Sequence, residues 1–328
     1  MRNLGFLMLF WCFSAAAFAQ PEAFHQAIKL MGSGFEITAI HENPVLARKA
    51  IDAGIGEIRR IERLISSWDE SSQTSAINRN AGIQPVEVDD ELYQLIRRSL
   101  KVSGITDGAF DISFAAIEKL YQFNGSETTL PPSEEVARSV AKINYRNIVL
   151  NPDKHTVFLK EPGMRIGFGA IGKGYAANRA RAVMQDMGIS NGLVNASGDL
   201  ICWGKQEDGR DWGIAIADPD DKMKAIAWLP IGEGAVVTSG DYEKFLMSDG
   251  KRYAHIIDPR TGYPTTGIKS VTIVCPDAEL ADALATSVFV LGREKGLALI
   301  NQLKGIECLI ITEENKLLSS KNLQLQYE

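Results

Sequence analysis

Apolar residues recur at helical spacing over residues 44–68. Leu46, Ala50, Ile51, Ile55, Ile58, Ile61 and Leu64 share one face, while Arg59, Arg60 and Glu62 point outward. Asn43 can cap this helix, and Pro44 suits its first turn. A second apolar face carries Leu92, Leu95, Ile96 and Leu100 after the candidate cap Asp89. A third helix is expected over residues 173–187 with Gly188 closing it, and a fourth over 278–291 between Asp277 and Gly292. Short stretches rich in Val and Ile at 212–217, 225–229, 235–238, 253–257, 270–274 and 308–312 read as strands. Residues 147–150 and 156–159 flank Asn151-Pro152-Asp153-Lys154 as a hairpin. Helices and strands mix without strict βαβ alternation. The pattern predicts an α+β fold with largely antiparallel or mixed sheets.

The first twenty residues break this pattern. Arg2 precedes an apolar run from Leu4 to Phe13, and small residues follow up to Ala19. That is the form of a secretory signal peptide over residues 1–19, too short for a membrane span; a buried N-terminal helix is the alternative. Cys12 lacks the small residues expected before a lipid-modified cysteine, so an exported, periplasmic protein without membrane attachment is expected over residues 20–328. With 45% hydrophobic and 23% charged residues, the chain has the composition of a soluble globular protein. Its formal net charge is −6, and losing Arg2 would make it more negative, which argues against a nucleic-acid partner. Cys202, Cys275 and Cys308 are widely spaced with apolar neighbours. They read as buried hydrophobes, with at most one disulfide among them.

Four polar, Gly-rich segments remain as candidates for chemistry. Residues 167–175 precede a helix, whose free N–H groups suit a phosphate. Their spacing approaches a phosphate-binding P-loop, but Gly174 stands where a metal-ligating Ser or Thr would be. The segment 238–243 leads to His255, beside the tight turn of Asp258, Pro259 and Gly262, which could hold an imidazole near a substrate. Asp282 and Thr286 lie one helical turn apart, a pair of hard oxygen donors that suits Mg²⁺, or else a simple helix-start pair. Ser66 to Asp69 with Asn78, and Gly108 to Asp111, each offer an aromatic followed by an acid. Trp68, at the end of its helix, could stack on a flat ligand, or both rings could close the core.

Together these segments resemble the ApbE family of flavin transferases. Met31-Gly32-Ser33, Ser67-Trp68 with residues 75–78, Gly108-Ala109-Phe110-Asp111, Gly172-Lys173-Gly174-Tyr175, residues 195–199, 238–242, 255–262 and 282–286 follow the family's motifs in order. The resemblance implies a bilobed fold with FAD in the groove between the lobes and Mg²⁺ at its pyrophosphate. It implies an enzyme that splits FAD, releases AMP and leaves FMN on a Thr or Ser of an acceptor, often an exported redox subunit. By position, Met31, Trp68, Ala109, Phe110, Asp111, Lys173 and Ile256 would contact FAD. Asp282, Thr286 and the carbonyl of Ala170 would hold Mg²⁺. His255, in its turn with Asp258, would take the proton of the incoming hydroxyl. The chain departs from the family at Gly167 and Asn178, where acids are common, and at Ser197, where Gly is. FAD hydrolysis, flavin trafficking and a non-catalytic exported binding protein are the competing readings.

Overall fold

The computed structural model describes residues 20–117, 120–221 and 223–326. The expected signal peptide and Cys12 lie outside them. The chain opens with the hairpin β1 (Glu22–Leu30) and β2 (Ser33–His41), followed by α1 (Pro44–Ile65), α2 (Gln73–Arg79), β3 (Val86–Glu87) and α3 (Asp90–Ile105). Next come α4 (Ser133–Val140), the hairpin β4 (Ile148–Asn151) and β5 (Thr156–Leu159), and α5 (Gly172–Asp186). Six strands follow: β6 (Asn191–Ala196), β7 (Asp199–Trp203), β8 (Trp212–Ala217), β9 (Ala225–Ile231), β10 (Gly234–Gly240) and β11 (Phe245–Ser248). The chain ends with β12 (Lys251–Ala254), β13 (Ile268–Cys275), α6 (Ala278–Ile300), β14 (Glu307–Thr312) and β15 (Leu317–Ser319).

Among the described residues, eight strands form one sheet in the order β1-β2-β6-β7-β10-β13-β14-β15, every neighbouring pair antiparallel. Side chains alternate between its faces, as the pleat requires. Phe35, Ile37, Ile201, Trp203, Ala235, Val237, Cys308 and Ile310 enter the larger core with α1, α5 and α6. Their neighbours Ile40, Cys202, Val236 and Leu309 enter a second core closed by the β8–β9 hairpin. Both faces are covered, so strands β10, β13 and β14 concentrate Val and Ile. A third, smaller core of Ile117, Tyr121, Val136, Leu246 and Ile257 lies beside the β11–β12 hairpin. The α+β expectation holds, and the three cysteines are free and buried. Among the described residues no helix is long and apolar enough to cross a membrane.

Local chemistry explains most boundaries. Asn43 Oδ1 accepts from Val45 N and Leu46 N at 3.0 and 3.1 Å, capping α1. Asp277 Oδ1 accepts from Leu280 N at 2.8 Å at the start of α6. Gly292 breaks α6 at φ +78°, as expected, yet the chain resumes its helix to Ile300. Three expectations fail. Asp89 does not cap α3, because its carboxylate accepts instead from Gln73 Nε2 at 2.6 Å. Helix α1 stops at Ile65, so Trp68 lies in the following loop. The strand expected over 253–257 ends at Ala254, which leaves His255 in a turn.

Candidate functional site

The Gly-rich loop before α5 is held from both sides. Asn78 Oδ1 accepts from Ile166 N at 2.7 Å, and Asn78 Nδ2 donates to Ile166 O at 3.0 Å. Gly167 N donates to Ile112 O at 2.9 Å. A Cβ on Gly167 would lie 3.1 Å from that of Ala115, so a side chain there would require Ala115 to give way. At the next departure, Asn178 donates to Asp277 Oδ2 at 2.9 Å and accepts from Ala278 N at 3.1 Å. An acid there could not donate and would face Asp277.

Two hairpin tips reach the same end of the sheet. Met31 and Gly32 join β1 to β2, and Ser197 and Gly198 join β6 to β7. Met31 and Ser197 both have positive φ, +50° and +56°, a region that favours glycine. Asn195 Oδ1 steadies the second tip by accepting from Gly198 N at 2.9 Å. Glu62 steadies the first, accepting from Met31 N at 2.8 Å. Sequence reasoning had Glu62 facing outward. A hollow of about 320 Å³ opens beside this tip, lined by Leu30, Arg59, Glu62, Arg63, Ser66 and Asp69. Its lining holds none of Lys173, Asp282 and His255.

The start of α5 crosses the start of α6 at very short range. A Cβ on Gly174 would fall 2.1 Å from the carbonyl oxygen of Ala278. Gly174 N donates to Asp282 Oδ2 at 3.1 Å. We expect Gly174→Ala to lower stability by about 3 kcal/mol through overpacking; an unchanged urea midpoint would contradict this crossing.

Below the crossing, Lys173 Nζ lies 2.7 Å from Asp199 Oδ2. The contact is an ion pair whose carboxylate is buried. Asp199 and Asp282 are 1% and 3% exposed. Burial first, and then the charge of Asp199, push the Asp282 carboxyl well above its usual range, with Lys173 opposing. Burial raises Asp199 as well, against the pull of Lys173. Burial alone would lower the Lys173 ammonium, but Asp199, Asp282 and Glu243 outweigh it and raise it. If both buried carboxyls ionise, they leave a negative excess over the one ammonium, which is why their pKa values are raised.

This excess fits a divalent cation. Asp282 offers a hard oxygen, Thr286 follows one turn along the same helix, and the Ala170 carbonyl stands two residues before α5. Among the described residues no three His, Cys, Asp or Glu side chains cluster as metal ligands. The implied set contains a single carboxylate and would form no such cluster.

His255 sits in the turn after β12. Its ring Nδ1 lies 3.1 Å from Lys244 O, and its backbone N donates to the same oxygen at 2.9 Å. A carbonyl only accepts, so Nδ1 carries the proton and Nε2 keeps its lone pair. Burial, with the charges of Lys244 and Lys173, lowers the imidazole to about 4, so it is neutral near pH 7. The charge of Lys173 disfavours protonation of His255 and favours ionisation of Asp282. Asp258 does not touch the ring: its carboxylate holds Arg260, with contacts of 2.8 Å to Nε, 2.7 Å to a terminal nitrogen and 2.9 Å to the backbone N. Its observed engagement is with the turn.

The remaining expected residues divide by exposure. Trp68 is 70% exposed in the loop after α1, free to stack on a flat ligand. Ala109, Phe110, Asp111 and Ile256 are buried. Asp111 accepts from Ser113 N, Ser113 Oγ and Tyr145 N, and burial raises its carboxyl. These four residues position backbone more than they present side chains. Asp199, Glu62 and the Lys244 carbonyl are additions of the structure. Asp199 lay inside a recognised segment, whereas the other two leave no sequence signal.

Fold and site define a class: an α+β protein whose Gly-rich helix start sets a lysine against a buried carboxylate pair and whose turn after β12 holds a neutral imidazole. The ApbE family model matches residues 31–310, and the chain belongs to the ApbE family. It is 31% identical over 300 residues to an FAD:protein FMN transferase of Klebsiella pneumoniae, covering 91% of this chain and 92% of that one. A Treponema pallidum FAD:protein FMN transferase is 33% identical over 281 residues, covering 81% and 78%. The crystal structure of the ApbE protein of Thermotoga maritima superposes with a TM-score of 0.84 at 32% identity, covering 92% of this chain and 97% of that chain. The Vibrio cholerae flavin transferase ApbE gives 0.79 at 26%, covering 92% and 98%.

Proposed function

We propose that this protein is a Mg²⁺-dependent FAD:protein FMN transferase. The carrying observation is the buried Asp282, which accepts from Gly174 N at the Gly-rich start of α5 beside Lys173. The transferase names of its relatives support the reading.

In the proposed reaction, a Thr or Ser hydroxyl oxygen of the acceptor bonds to the FMN-side phosphorus of FAD. The anhydride P–O bond breaks, AMP departs, and the hydroxyl proton passes to His255 Nε2. The lone pair is available because Nδ1–H is committed to the Lys244 carbonyl. Asp282, Thr286 and the Ala170 carbonyl would hold Mg²⁺, which when bound neutralises charge on the phosphate oxygens. Met31, Lys173 and Trp68 surround the dinucleotide. An exported protein with a periplasmic acceptor, such as a redox subunit, fits the leader-like first 19 residues.

The test is incubation with FAD, Mg²⁺ and an acceptor domain carrying a Thr or Ser site. Intact-mass measurement should show one FMN phosphoester per acceptor and one AMP released per transfer. AMP and free FMN appearing without an acceptor would report hydrolysis instead. Unchanged FAD would leave a binding or trafficking role.

A further inference from the structure

Residues 121–128 belong to none of the segments that suggested chemistry, yet they meet the His255 turn at both ends. The buried Tyr121 donates its hydroxyl to Gly262 O at 2.8 Å, and burial pushes that phenol up to about 12, so it stays a donor. Gly262 is itself seated tightly: φ is +79°, and a Cβ there would come within 2.5 Å of Val140. At the other end, Phe123 meets the His255 ring edge-on, with centroids 6.4 Å apart and planes at 74°. Phe123 also stacks on Tyr121, with centroids 5.7 Å apart. Beyond it, Gly125 N donates to Phe245 O, Met247 N to Ser126 O, and Thr128 N to Met247 O. The segment therefore runs along β11, next to the Lys244 carbonyl that orients the imidazole.

We propose that this segment is a strap that sets the His255 ring, with Tyr121 and Phe123 as positioning residues for proton transfer. The proposal rests on the reading of His255 as the base. The Lys244 carbonyl fixes the ring at Nδ1 alone, and a ring held at one point can still swing. An aromatic edge against it removes the alternative orientations, and the Tyr121 bond keeps the far end of the turn from drifting. Neither residue needs to touch FAD.

The experiment is a double-mutant cycle with kinetics. Phe123→Ala should lower kcat about 10-fold and leave the KM for FAD within about twofold, since proton transfer depends steeply on geometry. Phe123→Tyr keeps the aromatic edge and should restore most of the rate. Tyr121→Phe, which deletes one oxygen and tests the strap even if Phe123→Ala does not fold, should lower kcat about 3-fold at unchanged KM. In a His255→Ala background, both losses should vanish. Losses that persist there, a KM rising in step with the fall in kcat, or wild-type rates for Tyr121→Phe and Phe123→Ala would overturn the strap. A fully active His255→Ala protein would instead sink the base reading, so the two failures are distinguishable.

Discussion

Replacing His255 with Ala is expected to lower FMN transfer by about 10²–10⁴-fold, the span typical of losing a positioned general base. FAD binding should survive, because the imidazole is held by Lys244 and edged by Phe123 and helps bind no other described group. The pH profile carries the sharper signature. Base function requires the neutral ring, and it is lost as pH falls through the ring's own value. Burial and two lysines place that value near 4, so at Mg²⁺ concentrations high enough to keep Asp282 ionised, kcat/KM for wild type should stay flat well below pH 6.5. An acid limb centred at the ordinary histidine value would contradict the described environment.

The second large effect concerns Asp282, where activity and stability should move in opposite directions. Asp282→Asn is nearly isosteric, and its side-chain oxygen can still accept from Gly174 N. It removes one of two carboxylates buried against a single ammonium. We expect transfer to fall by about 10³-fold, as the charged Mg²⁺ ligand is gone. The metal-free protein should meanwhile gain about 1 kcal/mol, a rise of roughly 2–4 °C in Tm. Added Mg²⁺ should raise the Tm of wild type and leave that of the variant unchanged. A variant that keeps Mg²⁺-dependent activity would remove Asp282 from the metal site.

His255 and Asp282 stand out in the sequence for a physical reason. They sit beside Gly, Pro and capping residues whose turns leave a strong local trace. Strands β10, β13 and β14 were legible because both their faces are largely buried and their Val and Ile are concentrated. β1 was not legible. It is an edge strand, largely exposed, and its residues Glu22, His25, Gln26 and Lys29 dilute the alternation. The β6–β7 hairpin hid behind Ser197, which holds a conformation usually given to Gly or Asn. Helices α2 and α4 are too short to display a period. Glu62 and the Lys244 carbonyl act across the fold on partners that no spacing reveals. The partner of Asp258 is likewise hidden from spacing arguments about His255: two residues further on, Arg260 takes its carboxylate.

The crossing at Gly174 also explains why this loop resembles a P-loop and stops one residue short of it. A hydroxyl-bearing side chain at that position would have to occupy the place of the Ala278 carbonyl. The neighbouring helix has closed the slot with its own backbone and sent Asp282 to the same spot from the opposite side. The two helix starts are thus built as one interlocked unit, so neither could be transplanted without the other.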